Sequence, residues 1–393
     1  MAEKLSRLLE TTLALSGQFE AALSASPAKA AENDTNKSSS DSNSQPPEPL
    51  QLLSKSSTLL RSQVTKLSLL AINTPFTPSA LSTVLMAVND SVLPSLVTAA
   101  LLVTPDEHTK AFTAEVRVLT KTVLKEFSSL VEEVRKIAKK NDEQQQDKKK
   151  KDEELPQSEK DSVTTATGRV WDACDTLTQL VGKGVVGFVV RRVEQWRDLV
   201  KDAIDELAEW DPDEDDEDDD LLLDDDEENE PVKGAAEDED QDQDRDDNET
   251  TTAALHAHKK TALRAFKPIG QIYPAIISNR LKKGGLTASD TTLPPRAHIA
   301  KLESLVSDLQ AIPGYVDEAA GSLYESNIAN SVLYLKKARD CAEHAIRLVT
   351  FPWAVEGKQP EEAEAVEQED KFTAWSRTWL KVMDEVMSEV DRK

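Results

Sequence analysis

Apolar residues recur along most of this chain at steps of three and four, the spacing that gathers side chains on one face of an α-helix. Leu5, Leu8, Thr12, Leu15, Phe19 and Leu23 make one stripe, and Leu53, Leu60, Val64, Leu67 and Ala71 a second. Thr77-Pro78 offers a cap followed by proline at the first helical position, with Leu81, Val84, Leu85 and Val88 behind it. Pro94 is expected to kink or end that helix. Thr104-Pro105-Asp106-Glu107 reads as a capping box, and Phe112, Val116, Leu119, Val123, Phe127, Leu130, Val134 and Ile137 then keep the helical period.

Val163, Thr167, Val170, Cys174, Leu177 and Val181 form a fifth stripe, which predicts that Trp171 and Cys174 share its buried inner face. A glycine-containing turn leads to a sixth, from Val186 through Val193, Trp196 and Val200 to Leu207. Further on, Leu255, Ala262, Phe266, Ile269, Tyr273 and Ile276 are interrupted by Pro268 and Pro274, so this helix should be kinked or broken. Stripes from Ile299 to Ile312, Val316 to Leu323, Ile328 to Leu348 and Phe372 to Val390 complete the set. No segment alternates with period two between hairpin signals. The pattern predicts an all-α chain of about ten helices in two elongated antiparallel bundles.

Composition changes this picture in the middle of the chain. Of the net charge of -26, the stretch 211–250 carries -22, with 24 acidic and 2 basic residues, so the rest is nearly neutral. Such a tract buries too little to offset the entropy of ordering and is expected to be a disordered linker. Segments 24–48, 141–158, 282–292 and 354–368 are expected not to fold either. The predicted organisation is an N-terminal bundle at 1–210, the acidic linker at 211–250 and a C-terminal bundle at 251–393.

An acidic chain disfavours nucleic acid and anionic membranes as partners. The nearest approach to a membrane span, Ser91 to Val103, is too short and holds Pro94. The first residues lack a secretory pattern, and Cys174 and Cys341 cannot build a disulfide framework, so cytoplasm and nucleus are the expected compartments.

Candidate chemistry is sparse. Gly182-Lys183-Gly184-Val185-Val186-Gly187 matches a dinucleotide fingerprint in letters, but a helical stripe precedes it where a strand is required, and it reads as a helix-to-helix turn. His256 and His258, two apart, point to different sides of a helix with no Cys or further His nearby and read as solvated, and His108, His298 and His344 are isolated. No nucleophile has an activating neighbour, so no enzyme, cofactor or metal site is expected. Lys148 to Lys151 reads as a solvated run or an import signal. Trp353, outside any stripe, is a candidate partner-facing anchor, and Asp213, Glu214, Asp215 and Asp216 are candidates for holding a basic partner.

Val170-Trp171-Asp172-Ala173-Cys174-Asp175-Thr176-Leu177 resembles a segment of the cyclin-D-binding protein family, also called GCIP (Grap- and cyclin-D-interacting protein). The helix ending Val200-Lys201-Asp202-Ala203-Ile204-Asp205-Glu206-Leu207, the segment Ile312-Pro313-Gly314-Tyr315-Val316-Asp317-Glu318-Ala319-Ala320-Gly321-Ser322-Leu323-Tyr324 and the run Val332 to Ala338 are similar to the family in order and spacing, over roughly 50–350. The inserts at 24–48 and 141–158 and the long acidic tract depart from its compact members. The resemblance implies vinculin- or catenin-like bundles, no enzymatic activity, and binding of D-type cyclins and helix-loop-helix transcription factors in control of the cell cycle. The reading that results is a non-enzymatic regulatory adaptor. The alternative is an acidic chaperone that binds histones or other basic proteins through the tract.

Overall fold

A computed structural model describes residues 2–25, 48–146, 155–213, 241–283, 286, 294–353 and 370–390. Eleven α-helices and no strand occur among them: α1 Ala2–Ser24, α2 Pro49–Ile72, α3 Pro78–Ala87, α4 Leu93–Leu102, α5 Pro105–His108, α6 Lys110–Gln146, α7 Gln157–Glu209, α8 Gln241–Ile276, α9 Arg296–Tyr324, α10 Ile328–Leu348 and α11 Lys371–Val390. Residues 214–240 of the acidic tract lie outside the described residues, as do 26–47, 147–154, 284–285, 287–292 and 354–368 of the other segments expected not to fold, whereas 141–146 belong to α6, 157–158 to α7 and 241–250 to α8.

Contacts divide the chain into two compact units, one of Met1–Phe188 with Thr287–Ile299 and one of Val189–Leu286 with Ala300–Lys393. The sequence break had been placed at 210. The division falls earlier because the second part of α7 packs on α8, where a Cβ added to Gly270 would stand 3.6 Å from Ile204 and 3.8 Å from Val200. Gly184 marks the change of direction inside α7, with φ 63° and ψ -170°, a conformation that disfavours any side chain. This is the helix-to-helix turn expected from the glycine-rich letters.

In the first unit α1 packs on α3, α4 and α6, and α2 on α3, α4 and α6. The stripe of α2 is buried as read, but in α1 the fully covered residues are Leu5, Leu9, Thr12, Ser16 and Leu23, a face turned slightly from the one expected. Polar groups inside this core are small. Ser57 Oγ donates to Cys174 O at 3.2 Å, Asn89 Nδ2 donates to Thr12 Oγ1 at 2.8 Å, and the hydroxyls of Ser68 and Thr167 meet.

Two local expectations change here. The helix does not end at Pro94: a wide π-helical turn, Val88–Val92, joins α3 to α4, and the proline lies in the opening turn of α4 within a continuous helical stretch. The continuous stretch Pro78–Leu102 is thus 25 residues with a mean hydropathy of 1.6 over its best window, long and apolar enough to cross a membrane, as is Gln157–Glu209. Half of each window is buried within the protein, as in a core helix. The capping box at Thr104 makes no side-chain cap, and α5 is a single turn. Thr109, at φ 67°, interrupts the chain, and its Oγ1 accepts from Phe112 N at 3.4 Å to open α6.

In the second unit α8 packs on α10 and α11, and α10 on α11. Pro268 and Pro274 lie within a continuous α8, and Pro313 within α9. A helical proline leaves the carbonyl four residues earlier without its donor. For Pro313 that carbonyl is Leu309 O, and the buried Tyr273 hydroxyl donates to it at 2.9 Å. Trp379 Nε1 donates to Pro268 O at 2.9 Å, tying α11 to the proline turn of α8.

Candidate functional site

Ala203 and Glu206 on α7 face Asp317, Glu318, Ala320, Gly321, Ser322 and Tyr324 at the end of α9 and Glu325 just beyond it across an open surface groove of about 340 Å³. Small residues make the space, since a Cβ on Gly321 would meet nothing within 4 Å. Four carboxylates line it and no basic side chain does. The end of a helix adds the negative pole of its dipole to theirs. Tyr324 stands edge-on to Trp210 at 4.9 Å, and its hydroxyl is buried without a hydrogen-bond partner among the described residues. Burial, then the charges of Glu206 and Asp317, push that phenol up to about 12. The groove is therefore a negatively charged patch of the surface. Periodicity could not show it, because its two walls lie more than a hundred residues apart.

Beyond the end of α7, Lys259 Nζ donates to Trp210 O and holds the next turn against α8. His256 Nε2 then lies 3.2 Å from Asp213 Oδ1 and 3.9 Å from Asp211 Oδ1. These three exposed groups are close enough together to hold a metal ion. His256 is solvated as expected and has no Cys or further His beside it in this group, and the fold brings to it two carboxylates from the turn after α7. Of the four acidic candidates, Asp213 is exposed at this turn, and Glu214, Asp215 and Asp216 lie outside the described residues.

Trp353 is not the exposed anchor that its place outside any stripe suggested. It is 1% exposed, its Nε1 donates to Arg280 O at 3.1 Å, and Lys301 Nζ lies 5.1 Å from its ring centroid. The exposed aromatic of that segment is Phe351. Arg280, also buried, donates from Nε to Val349 O at 2.6 Å and from Nη2 to Thr350 O at 2.7 Å, capping α10, while Nη1 reaches Asp370 Oδ2 at 2.8 Å. Asp370 caps α11 through Thr373 N at 2.8 Å. Burial pushes its carboxyl up, but the Arg280 and Thr373 hydrogen bonds outweigh this and hold it at about 2. One guanidinium so joins the end of α10 to the start of α11.

The family model described as Grap2 and cyclin-D-interacting, N-terminal, matches residues 52–213. Over those residues the chain is similar to the Grap2 and cyclin-D-interacting family. No curated protein matches the chain.

Within this Grap2 and cyclin-D-interacting segment lie α2 through α7 and the turn that bears Asp211 and Asp213. Cys174 is buried as expected, and that burial pushes its thiol up to about 11, away from the reactive thiolate. Trp171 is only half-buried, with Arg61 5.5 Å from its ring centroid and paired to Asp175 at 3.4 Å. Three residues turn a helix through about 300°, so Trp171 sits at the edge of the stripe that Cys174 centres. Outside the segment, His344, isolated in sequence, meets Asp308 with Nδ1 2.7 Å from Oδ2. The nearby Cys341 thiol is pushed up by burial and by Asp308, the wrong direction for a nucleophile.

Proposed function

We propose that this protein is a non-enzymatic regulatory adaptor of the cytoplasm and nucleus that binds a D-type cyclin and, on the same family resemblance, helix-loop-helix transcription factors. The observation that carries the reading is the match of residues 52–213 to a family named for its cyclin-D interaction. Thiols raised by burial support a binding role over catalysis, and the free state of both cysteines fits a reducing compartment.

The test is capture of a purified D-type cyclin by the full-length chain and by a chain lacking residues 214–240. Both should bind, with dissociation constants that change less than about tenfold, or 1.4 kcal/mol, between low and high salt, because helix docking on a folded surface depends little on screened charge. Absence of binding by the full-length chain overturns the proposal. Loss on deletion, together with steep salt dependence, replaces it with a chaperone of basic proteins working through the acidic tract.

A further inference from the structure

Helix α1 is joined to the rest of the first unit less firmly than its place in the core suggests. The middle of its buried face is polar: Thr12 and Ser16 are fully covered, while the larger Leu8, Leu13, Leu15 and Phe19 stay part-exposed at the edges. Ser16 Oγ is buried without a hydrogen-bond partner, and so is Asn89 Oδ1 on the π-helical turn that Thr12 meets. Wide turns of this kind recur at functional sites. Among the described residues two side-chain hydrogen bonds tie α1 to other helices, Asn89 to Thr12 and, at its exposed end, Lys121 Nζ to Ser24 Oγ at 3.5 Å. The unpaired hydroxyl and Gly17 in mid-helix both weaken the docked state. The segment similar to the family begins at 52, so it holds α3, α4 and α6, on which α1 packs, but not α1. Residues 26–47 separate α1 from α2, chain enough to span roughly 80 Å when extended, so α1 can leave without displacing α2.

We infer that the groove of α3, α4 and α6 is a receiving surface for an amphipathic helix of a partner, and that α1 occupies it in the free protein as an internal competitor. The face of α1 describes the helix that fits. Leu5 and Leu9 lie one turn apart, the small residues Thr12 and Ser16 follow, and Leu23 closes the stripe. A competing helix therefore carries aliphatic residues at its first and fifth positions and small ones at its eighth and twelfth, the spacing by which helices anchor in apolar grooves. Alanine in place of Ser16 removes the unpaired hydroxyl, so a partner helix with alanine there outbinds α1 residue for residue. The inference rests on the adaptor proposal for the existence of a partner, but competition between α1 and a second helix does not depend on which partner supplies it.

Covalent attachment favours α1, so the test weakens it in place. The probe is a fluorescent peptide of residues 2–24 carrying Ser16→Ala, added to the full-length chain. Leu9→Asp in the protein puts a charge on the buried face of its own α1 and should expel it, so the peptide should bind this variant at least about tenfold more tightly than the unchanged protein. The same peptide carrying Leu9→Asp should not bind. In the unchanged protein, hydrogen exchange of α1 should run at least about tenfold faster than that of α2 and α6, because α1 opens alone. Ser16→Ala in the protein should slow exchange in α1 and leave α2 as it was. Exchange of α1 in step with α2 and α6, or equal affinity of the peptide for the unchanged and Leu9→Asp proteins, overturns the inference. Loss of protection in α2 and α6 on Leu9→Asp would show that α1 belongs to one cooperative core, and overturns it as well. Failure to capture the cyclin, with peptide competition intact, overturns the adaptor proposal alone.

Discussion

The two units bury their polar groups by different means. In the first they are mostly hydroxyls, with the amide of Asn89 and the imidazoles of His108 and His298; Thr12, Ser57, Ser68 and Thr167 each lie close to a partner and several return a bond to their own helix, as Thr12 does to Leu8 O at 2.8 Å. In the second, beside hydroxyls such as Ser322, Ser331 and Ser376, long side chains cross between helices. Arg280, Tyr273, Trp353 and Trp379 all donate to backbone carbonyls, at helix ends or beside prolines. A proline accounts for one of these bonds: Pro313 removes the N–H that Leu309 O would accept, and the Tyr273 hydroxyl replaces it, whereas Arg280 serves the end of α10 and Trp379 donates to the carbonyl of Pro268 itself.

The strongest challenge to that contrast is Arg280→Met. It keeps much of the aliphatic volume but leaves Val349 O without its donor and Asp370 without its guanidinium, while Thr350 O keeps only the Thr373 hydroxyl, and it should cost the second unit about 3 to 5 kcal/mol. Hydrogen exchange should report the loss in α8, α10 and α11 while protection in α2 and α6 is retained. Equal loss in both sets of helices would show that the units are not separate in stability.

A smaller effect is expected from Tyr273→Phe, which removes only the hydroxyl that serves Leu309 O. The orphaned carbonyl should cost about 1 to 3 kcal/mol. Pro313→Ala returns an N–H to that carbonyl, so the cost of Tyr273→Phe should shrink by about 1 kcal/mol in its presence, measured as a double-mutant cycle by urea unfolding. In the first unit, Ser68→Ala leaves Thr167 its bond to Val163 O at 2.7 Å and should cost less than about 1 kcal/mol. Strict additivity at Tyr273 and Pro313 would refute the proline account.

The smallest effects separate the units by pH. His108, buried in the first unit, has its imidazole held below the usual 6.5, chiefly by burial. The unfolded chain takes up its proton first as pH falls, so this unit should begin to lose stability below about 6.5. Asp370, in the second unit, is held at about 2 against an ordinary 3.8. Its contribution is complete above 3.8 and is lost as pH falls toward 2, and solvent screening at its partly exposed carboxylate keeps it small. Residue-resolved exchange between pH 7 and 3 should show α5 and α6 weakening before α11. His108→Gln should remove the upper step alone.

Period and punctuation were enough to determine the helices. Steps of three and four fix which side of α2, α6 or α8 must leave water, and that decision is local, so Leu53, Leu60, Val64 and Leu67, or Phe266, Ile269 and Tyr273, could be placed in the core without knowing what covers them. The all-α class follows from the same pattern, and the ordered motifs pointed to the family. Three things needed the tertiary structure. Trp353 lies outside any stripe, and only the return of the chain past Arg280 buries it. His256 gains Asp213 because the turn after α7 lies beside the middle of α8, across the long acidic interruption. The charged groove exists because Glu206 and Asp317 come to face one space. Burial of a stripe is a property of one helix and its solvent, and a short window of sequence encodes it. A site is a property of distances between helices, which are set by the packing of side chains far apart in the chain.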